Sequence, residues 1–295
     1  MPGFSSEFLT TRQLAELLHI KERKVYDLAA AGEVPCSRVN GKLLFSLRQI
    51  EEWVDRNSSG ATPTQANRRS PVVLGSHDPL LSWALSTAEA DLATHFEGSV
   101  DGLERFARGE GLAAGLHIYE PQTDGWNTSS IRERFEYAPV ALLEFAWRDR
   151  GLIVRPDDAE SFVGIESLRG RRVVPRRDSA GSQMLLKRLM ANAGLGPGDV
   201  TWAEQAGTES DVAIAILEGK ADVALGLRSM AQQLRLGFVA QVRERFDLLV
   251  DRAAWFDAPL QRLWRFCQSD AFRAKARELG GYDVTGLGTV HFNGA

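Results

Sequence analysis

The sequence predicts an α/β chain in two parts, a small winged helix-turn-helix followed by a larger two-lobed domain. Three observations carry this. Residues 8–54, FLTTRQLAELLHIKERKVYDLAAAGEVPCSRVNGKLLFSLRQIEEWV, hold two helical patterns, an Asn-Gly hairpin and a third helix in one basic-tipped stretch. Residues 57–71, NSSGATPTQANRRSP, are small, polar and without periodicity, which is the composition of a flexible linker. From Val72 onward short apolar runs alternate with helical stretches, in two successive sets. The expected division is 1–56, 57–71 and 72–295, with a second lobe over about 155–245.

Composition sets the bounds. With 295 residues, 44% hydrophobic and 25% charged, the chain can build two or three cores. No apolar run approaches the roughly 20 residues of a bilayer span. The opening MPGFSSEF lacks the basic and apolar regions of a signal peptide, so a cytoplasmic location is expected. Cys36 and Cys267 fall in different predicted domains and are expected as free thiols. The net charge of −4 is unevenly spread. Residues 1–70 hold 10 Lys/Arg against 8 Asp/Glu, a net +2, and the rest hold 25 against 31, a net −6. Phosphate contacts are therefore expected only from the N-terminal part.

In that part, Thr10 followed by Gln13 reads as a capping box, and Leu14, Leu17 and Leu18 fall on one helical face. After the short turn at His19-Ile20, a second helix begins near Lys21 and stops at Gly32. Its first turns carry Lys21, Arg23, Lys24 and Tyr26, where a helix-turn-helix meets the major groove. Asn40-Gly41 between β-prone runs signals a two-residue hairpin flanked by Arg38 and Lys42. A third helix is expected from Ser46, burying Leu47, Ile50 and Trp53. The spacing V-Y-x-L-x-x-x-G-x-V-P, then R-V-N-G-K, then L-R-Q-I-E-E-W-V, resembles the excisionase/MerR-like winged-helix family. The resemblance implies that Arg23, Lys24 and Tyr26 face double-stranded DNA and that the hairpin with Arg38, Asn40 and Lys42 is a wing. Arg68 and Arg69 in the linker are read as solvated cations.

In the larger part the expected order runs as follows. The run VVLGS leads to a helix near Pro79–Leu92, and FEGS to one near Val100–Arg108. LAAGLHIYE reads as a buried strand, Ser130–Glu136 as a capped helix and VALLEFAWRDRGLIV as a long strand. RRVVP, a helix at Ser182–Ala193, VTWAE, a helix at Asp211–Glu218 and the strand ADVALGL form the second set. FDLLV returns the chain, which then ends in helices. Three strand-to-helix junctions carry small hydroxyl residues: Gly75-Ser76, Gly98-Ser99 and Ser179-Ala180-Gly181-Ser182. A serine there is an ordinary N-cap, but helix N-termini also present unpaired N–H groups to anions. Three such junctions would converge at the carboxyl ends of the strands.

The strings GSHD, EGSVDGLERFARGEGLAAGLHIYE and DGWNTSSIRE, then RRVVPRRDSAGSQMLLKRLMANAGL and ESDVAIAILEGKADVALGL, resemble a type-II periplasmic-binding-protein-like domain of molybdate/tungstate-type regulators. The resemblance implies two lobes closing on a tetrahedral oxyanion. Ser76 and Ser99 would supply donors from the first lobe, and Arg176, Ser179, Gly181 and Ser182 from the second. The chain departs from the family's G-x-G-T-R type turn, reading Ser179-Ala180-Gly181-Ser182-Gln183 instead. Molybdate and tungstate offer acceptors only, whereas phosphate carries a proton and needs a carboxylate, for which Asp78 and Asp178 stand near. Asp78 reads more simply as a helix-start residue before Pro79.

His117 with Asp78, or His77 with Ser76, could form a catalytic pair, but no nucleophile elbow, phosphate loop, HExxH or CxxC motif accompanies them. No enzyme activity, metal ligand or cofactor is expected. The expectation is a homodimeric one-component regulator that binds DNA and an oxyanion effector. The resemblance implies control of molybdenum or tungsten enzyme genes, such as those of formate dehydrogenase. The alternatives are a small organic ligand in the same cleft, or a molybdenum-cofactor assembly protein.

Overall fold

The computed structural model describes residues 8–39, 41–57 and 69–295. Contacts divide the chain into two compact units, Met1–Arg68 and Arg69–Ala295. Asn40 and the linker residues 58–68, Arg68 included, lie outside the described residues.

In the first unit, β1 (Phe8–Thr10) leads into α1 (Thr11–Leu17), and α2 (Glu22–Ala30) follows a short turn. β2 (Ser37–Val39) and β3 (Lys42–Ser46) form the hairpin, and α3 (Leu47–Asn57) ends the unit. The Thr10–Gln13 capping box forms, with Thr10 N–H donating to Gln13 Oε1 at 2.8 Å. The strand order is β1-β3-β2, so the unforeseen β1 makes the hairpin a three-stranded sheet. Leu9, Leu14, Val25, Phe45 and Ile50 are wholly buried in its core, while Leu47 and Trp53 are half-buried at its margin. Each large apolar side chain so enclosed contributes about 1.5–3 kcal/mol.

The second unit is built on two 15-residue strands, β9 (Val140–Val154) and β13 (Gly237–Asp251), paired antiparallel along their length. The first lobe adds β4 (Val72–Gly75), β5 (Ala93–His95) and β6 (Ala113–Leu116), with α4 (Pro79–Thr87), α5 (Ser99–Ala107) and α6 (Thr128–Phe135). A small hairpin, β7 (Tyr119–Glu120) and β8 (Gly125–Trp126), sits before α6. The second lobe adds β10 (Arg172–Val174), β11 (Thr201–Trp202) and β12 (Val223–Leu227), with α7 (Gly181–Asn192), α8 (Glu209–Leu217) and α9 (Arg228–Gln233). The continuous order is β11-β10-β12-β9-β13-β6-β4-β5. Each lobe thus repeats one plan: two outer strands, a third, then the long strand that arrives from the other lobe.

Period-two alternation on the long strands explains how both sheet faces are covered. On β9, Leu143 and Phe145 join one core and Leu142 the other, and in the second lobe Leu152 and Val154 oppose Ile153 in the same way. The expectation that the chain ends in helices needs correction. α10 (Ala258–Cys267) and α11 (Asp270–Leu279) are followed by β14 (Tyr282–Asp283) and β15 (Val290–Asn293), which both pair with β9. Their burial signal was too short to read. Arg69 is also not a solvated cation: its Nε donates to Asp251 at 2.8 Å and its Nη1 to the Gly111 carbonyl at 3.1 Å. Cys36 and Cys267 are free thiols.

Candidate ligand cleft and nucleic-acid face

On the first unit, Val25 and Ala29 turn inward from α2 while Lys21, Arg23, Lys24 and Tyr26 are exposed, Tyr26 to 53%. Lys21 is the N-cap residue but makes no side-chain cap. The start of α2 is therefore a row of exposed cations around one aromatic ring. Arg38 and Lys42 are exposed on β2 and β3 beside the turn, where Gly41 has φ +78°. Among these positions Asn40 alone lies outside the described residues.

In the larger unit, Ser76 follows β4, Ser99 follows β5, and residues 179–182 follow β10, all at the carboxyl ends of parallel strands. Ordinary helix capping does not explain these serines. α4 is capped by Asp78, whose Oδ1 accepts from Leu81 N–H at 2.7 Å, while α5 and α7 have no side-chain cap. Ser76 and Ser99 instead bond to each other, Oγ to Oγ at 2.8 Å. Their approach depends on Gly102 of α5, where a Cβ would stand 2.2 Å from the Gly75 Cα. Ser99 Oγ also accepts from the His117 backbone N–H at 3.1 Å. Two hydroxyls sharing one hydrogen bond keep one proton free for a third group.

The two lobes meet at this place. Val100 N–H donates to the Ser179 carbonyl at 3.3 Å, and Ser179 Oγ donates to the Glu97 carbonyl at 3.3 Å. Gly181 packs so closely that a Cβ there would lie 2.7 Å from the His117 carbonyl oxygen. Ser182 is 2% exposed, and its hydroxyl has no hydrogen-bond partner among the described residues. Gln183 is buried and accepts from Arg176 N–H through Oε1 at 2.8 Å. Ser179 and Gly181 thus meet the first lobe beside Ser99, which bonds Ser76, while Ser182 follows Gly181 and Arg176 bonds within the second lobe. Asp178 is exposed and pairs with Lys187.

Behind the serines runs a buried ladder of charges that the motifs did not point to. Asp78 Oδ2 accepts from Arg148 Nη1 and from the Tyr282 hydroxyl, both at 2.8 Å. Arg148 Nη2 donates to Glu244, and Arg150 Nε lies 2.9 Å from the same carboxylate without hydrogen-bond alignment. Arg150 also grips Glu209 through Nη1 and Nη2, at 3.2 and 3.1 Å, and Arg176 Nη1 reaches Glu209 at 3.2 Å. Burial alone would raise the Glu209 carboxyl, but Arg150 and Arg176 outweigh it and hold it at about 2. Burial likewise opposes Glu244, yet Arg148, Arg150 and His117 keep it well below the usual carboxylate range. His117 shifts down because burial outweighs the attraction of Glu244. A legible signal did exist. Glu144, Arg148, Asp149 and Arg150 interrupt a strand whose other residues are apolar or Gly, and such charged residues are almost never buried unless paired.

A hydroxyl–imidazole relay does not form here. Ser99 bonds the backbone of His117, while the His117 ring Nδ1 lies against Glu244 at 3.1 Å. Among the described residues no group of three or more His, Cys, Asp or Glu could hold a metal, and no helix is long and apolar enough to cross a membrane.

Comparison with known proteins places this architecture. Residues 84–268, more than half the chain, match the family described as the PBP superfamily domain, and residues 8–58 match a helix-turn-helix domain. The chain belongs to the PBP superfamily. Protein YvgK of Bacillus subtilis (strain 168) is 22% identical over 95% of this chain and 96% of its own. Among solved structures, the sulfate-binding protein SubI of Mycobacterium tuberculosis H37Rv has a TM-score of 0.51 at 12% identity, covering 72% of this chain and 85% of that one. A phosphate-bound ABC transporter substrate-binding protein from Clostridium perfringens has a TM-score of 0.50 at 11% identity, covering 74% and 98%. At these identities the likeness concerns the fold. A helix-turn-helix domain joined to a PBP-superfamily domain is the composition of a DNA-binding regulator with a ligand-binding domain.

Proposed function

We propose that the protein is a cytoplasmic one-component transcriptional regulator. Its N-terminal unit binds double-stranded DNA as a homodimer on a two-fold symmetric site, through Lys21, Arg23, Lys24 and Tyr26 and the Arg38–Lys42 wing. Its PBP-superfamily domain senses an oxyanion, molybdate or tungstate, and controls genes for enzymes that use those metals, such as formate dehydrogenase.

The observation that supports an oxyanion is the donor character of the seam. Ser182 Oγ is buried without a partner, and the Ser76–Ser99 pair retains one proton. The carboxylates nearby are already engaged: Asp78 by Leu81, Arg148 and Tyr282, Glu244 by Arg148 and His117, Glu209 by Arg150 and Arg176. A guest that brings acceptors alone suits such a lining. Hydrogen phosphate would bring a proton for which no carboxylate is unengaged, at about 1–3 kcal/mol for an unmet buried group. A sulfate-binding protein and a phosphate-bound protein of the same fold are consistent with this class of guest. To switch DNA binding, the anion must favour one conformation of the regulator, with coupling of about 1–3 kcal/mol.

Calorimetry of the full chain with molybdate, tungstate, sulfate and phosphate tests the reading. Molybdate or tungstate is expected to bind, and the Ser99→Ala/Ser182→Ala double variant to bind at least about tenfold more weakly, matching two lost hydrogen bonds. No heat from any of the four anions would end the oxyanion reading.

A further inference from the structure

Asp78, Arg148, Glu244, Arg150, Glu209 and Arg176 form one unbroken run of ion contacts, from the first lobe through β9 and β13 into the second. Three guanidinium groups and three carboxylates cancel. An anion site usually gains attraction from surplus positive charge, and here that surplus is removed from within. Glu209 removes it on the second-lobe side, where its partner Arg176 precedes the Ser179–Ser182 loop. It is 2% exposed and holds both Arg150 and Arg176.

Two facts separate Glu209 from a merely structural ion. α8 does not need it as a cap, since Thr208 and Asp211 already form a capping box. It is also linked through Arg176 to the loop that meets the first lobe. Its charge, with those of Asp78, Arg176 and Arg148, acts on His77, which stands between Ser76 and Asp78 in the opposite lobe. Arg176, its partner, is tied through its backbone to Gln183, the neighbour of the unpartnered Ser182 hydroxyl, and its own Nε is buried without a partner.

We propose that Glu209 is an internal counter-anion that determines the affinity and charge selectivity of the cleft, holding Arg150 and Arg176 so that the guest is bound by neutral donors. This rests on the oxyanion reading above. A guest held by neutral donors gains little from long-range attraction, so wild-type affinity should change less than about threefold between 50 and 300 mM salt. Glu209→Gln keeps the side-chain shape and leaves one positive charge uncancelled. Affinity for a doubly charged anion should then rise about tenfold, more than for a singly charged one, and become salt-dependent. A purely structural Glu209 would give the opposite sign, because loosening the second-lobe loop weakens binding of every anion.

The test is calorimetry of the full chain with molybdate and perchlorate, tetrahedral anions of charge two and one, at both salt concentrations. Glu209→Asp accompanies Glu209→Gln, since it keeps the charge but is one methylene too short to bridge both arginines, and should tighten molybdate by about threefold. Tighter molybdate binding by either folded variant supports the counter-anion, also where wild type binds too weakly to measure. Equal or weaker binding by the folded variants, or a steep salt dependence in wild type, overturns it and leaves the oxyanion reading standing. No binding by wild type or variants removes both.

Discussion

Arg23, Lys24, Arg38 and Lys42 stand in solvent on the N-terminal unit, whereas Asp78, Arg148, Arg150, Glu209 and Glu244 of the PBP-superfamily domain are almost wholly buried. The same residue chemistry is therefore used in two regimes. Exposed cations keep their hydration, contribute little to stability and act on a partner additively through the field. Buried ions have lost their water and persist only because each is matched, so removing one leaves the next uncompensated. The first arrangement tolerates substitution and tunes affinity. The second couples stability to the contact between the lobes.

Breaking the ladder should give the largest effect. Arg148→Met leaves Asp78 and Glu244 facing each other without their shared cation, and should destabilise the large unit by about 3–5 kcal/mol. Urea unfolding followed by tryptophan emission reads this, since six of the seven tryptophans lie in that unit. A shift below about 1 kcal/mol would mean that the buried ions behave like surface ones.

A smaller effect concerns Asp247, buried beside Asn127 and Arg245, each 2.8–2.9 Å away. Burial, outweighing Arg245 and Asn127, pushes its carboxyl up from 3.8 to about 6. The folded chain then holds a proton that the unfolded chain releases, so this group's contribution to stability falls as pH rises from about 4 to about 6. Glu209, at about 2 against an ordinary 4.5, contributes stability above about 4.5 that is lost as pH falls toward 2. Between pH 7 and pH 4.5 wild type should therefore gain about 2 kcal/mol relative to Asp247→Asn, for about 1.5 titrated units. Parallel curves for the two proteins would place the Asp247 titration outside this range.

The smallest structural effect is expected on the exposed side. Arg23→Ala and Lys24→Ala should leave the unfolding midpoint nearly unchanged, yet each should weaken DNA binding and reduce the slope of log affinity against log salt by about one. A substantial loss of stability, or an unchanged salt slope, would break the contrast between the two units.

Much of the scaffold was readable locally. The Thr10–Gln13 box, the Gly32 stop, the Asn-Gly hairpin and the apolar face of α2 are short-range patterns, and the first unit follows them closely. β9 was readable to its ends because apolar residues occupy both ends and most of the positions between. β13 was not: only its FDLLV end was read as a strand, because Gln241, Arg243, Glu244 and Arg245 break the apolar pattern of its first half, which pairs with Trp147–Val154 of β9. The junction serines were identified as a set, but their use was decided elsewhere: Gly75 against Gly102 brings Ser76 to Ser99, and Asp78 rather than a serine caps α4.

What the sequence by itself determined is the division into a basic head and an acidic α/β body, together with most helix starts, because caps, turns and periodicity act over a few residues. What only the tertiary structure decided is the pairing of Asp78, Arg148, Glu244, Arg150, Glu209 and Arg176 into one buried run with equal numbers of opposite charges. Those partners lie up to 96 residues apart, and no local preference can specify which buried carboxylate meets which guanidinium. That choice follows from two long strands crossing between lobes and bringing distant charges into a space where only matched ions are stable.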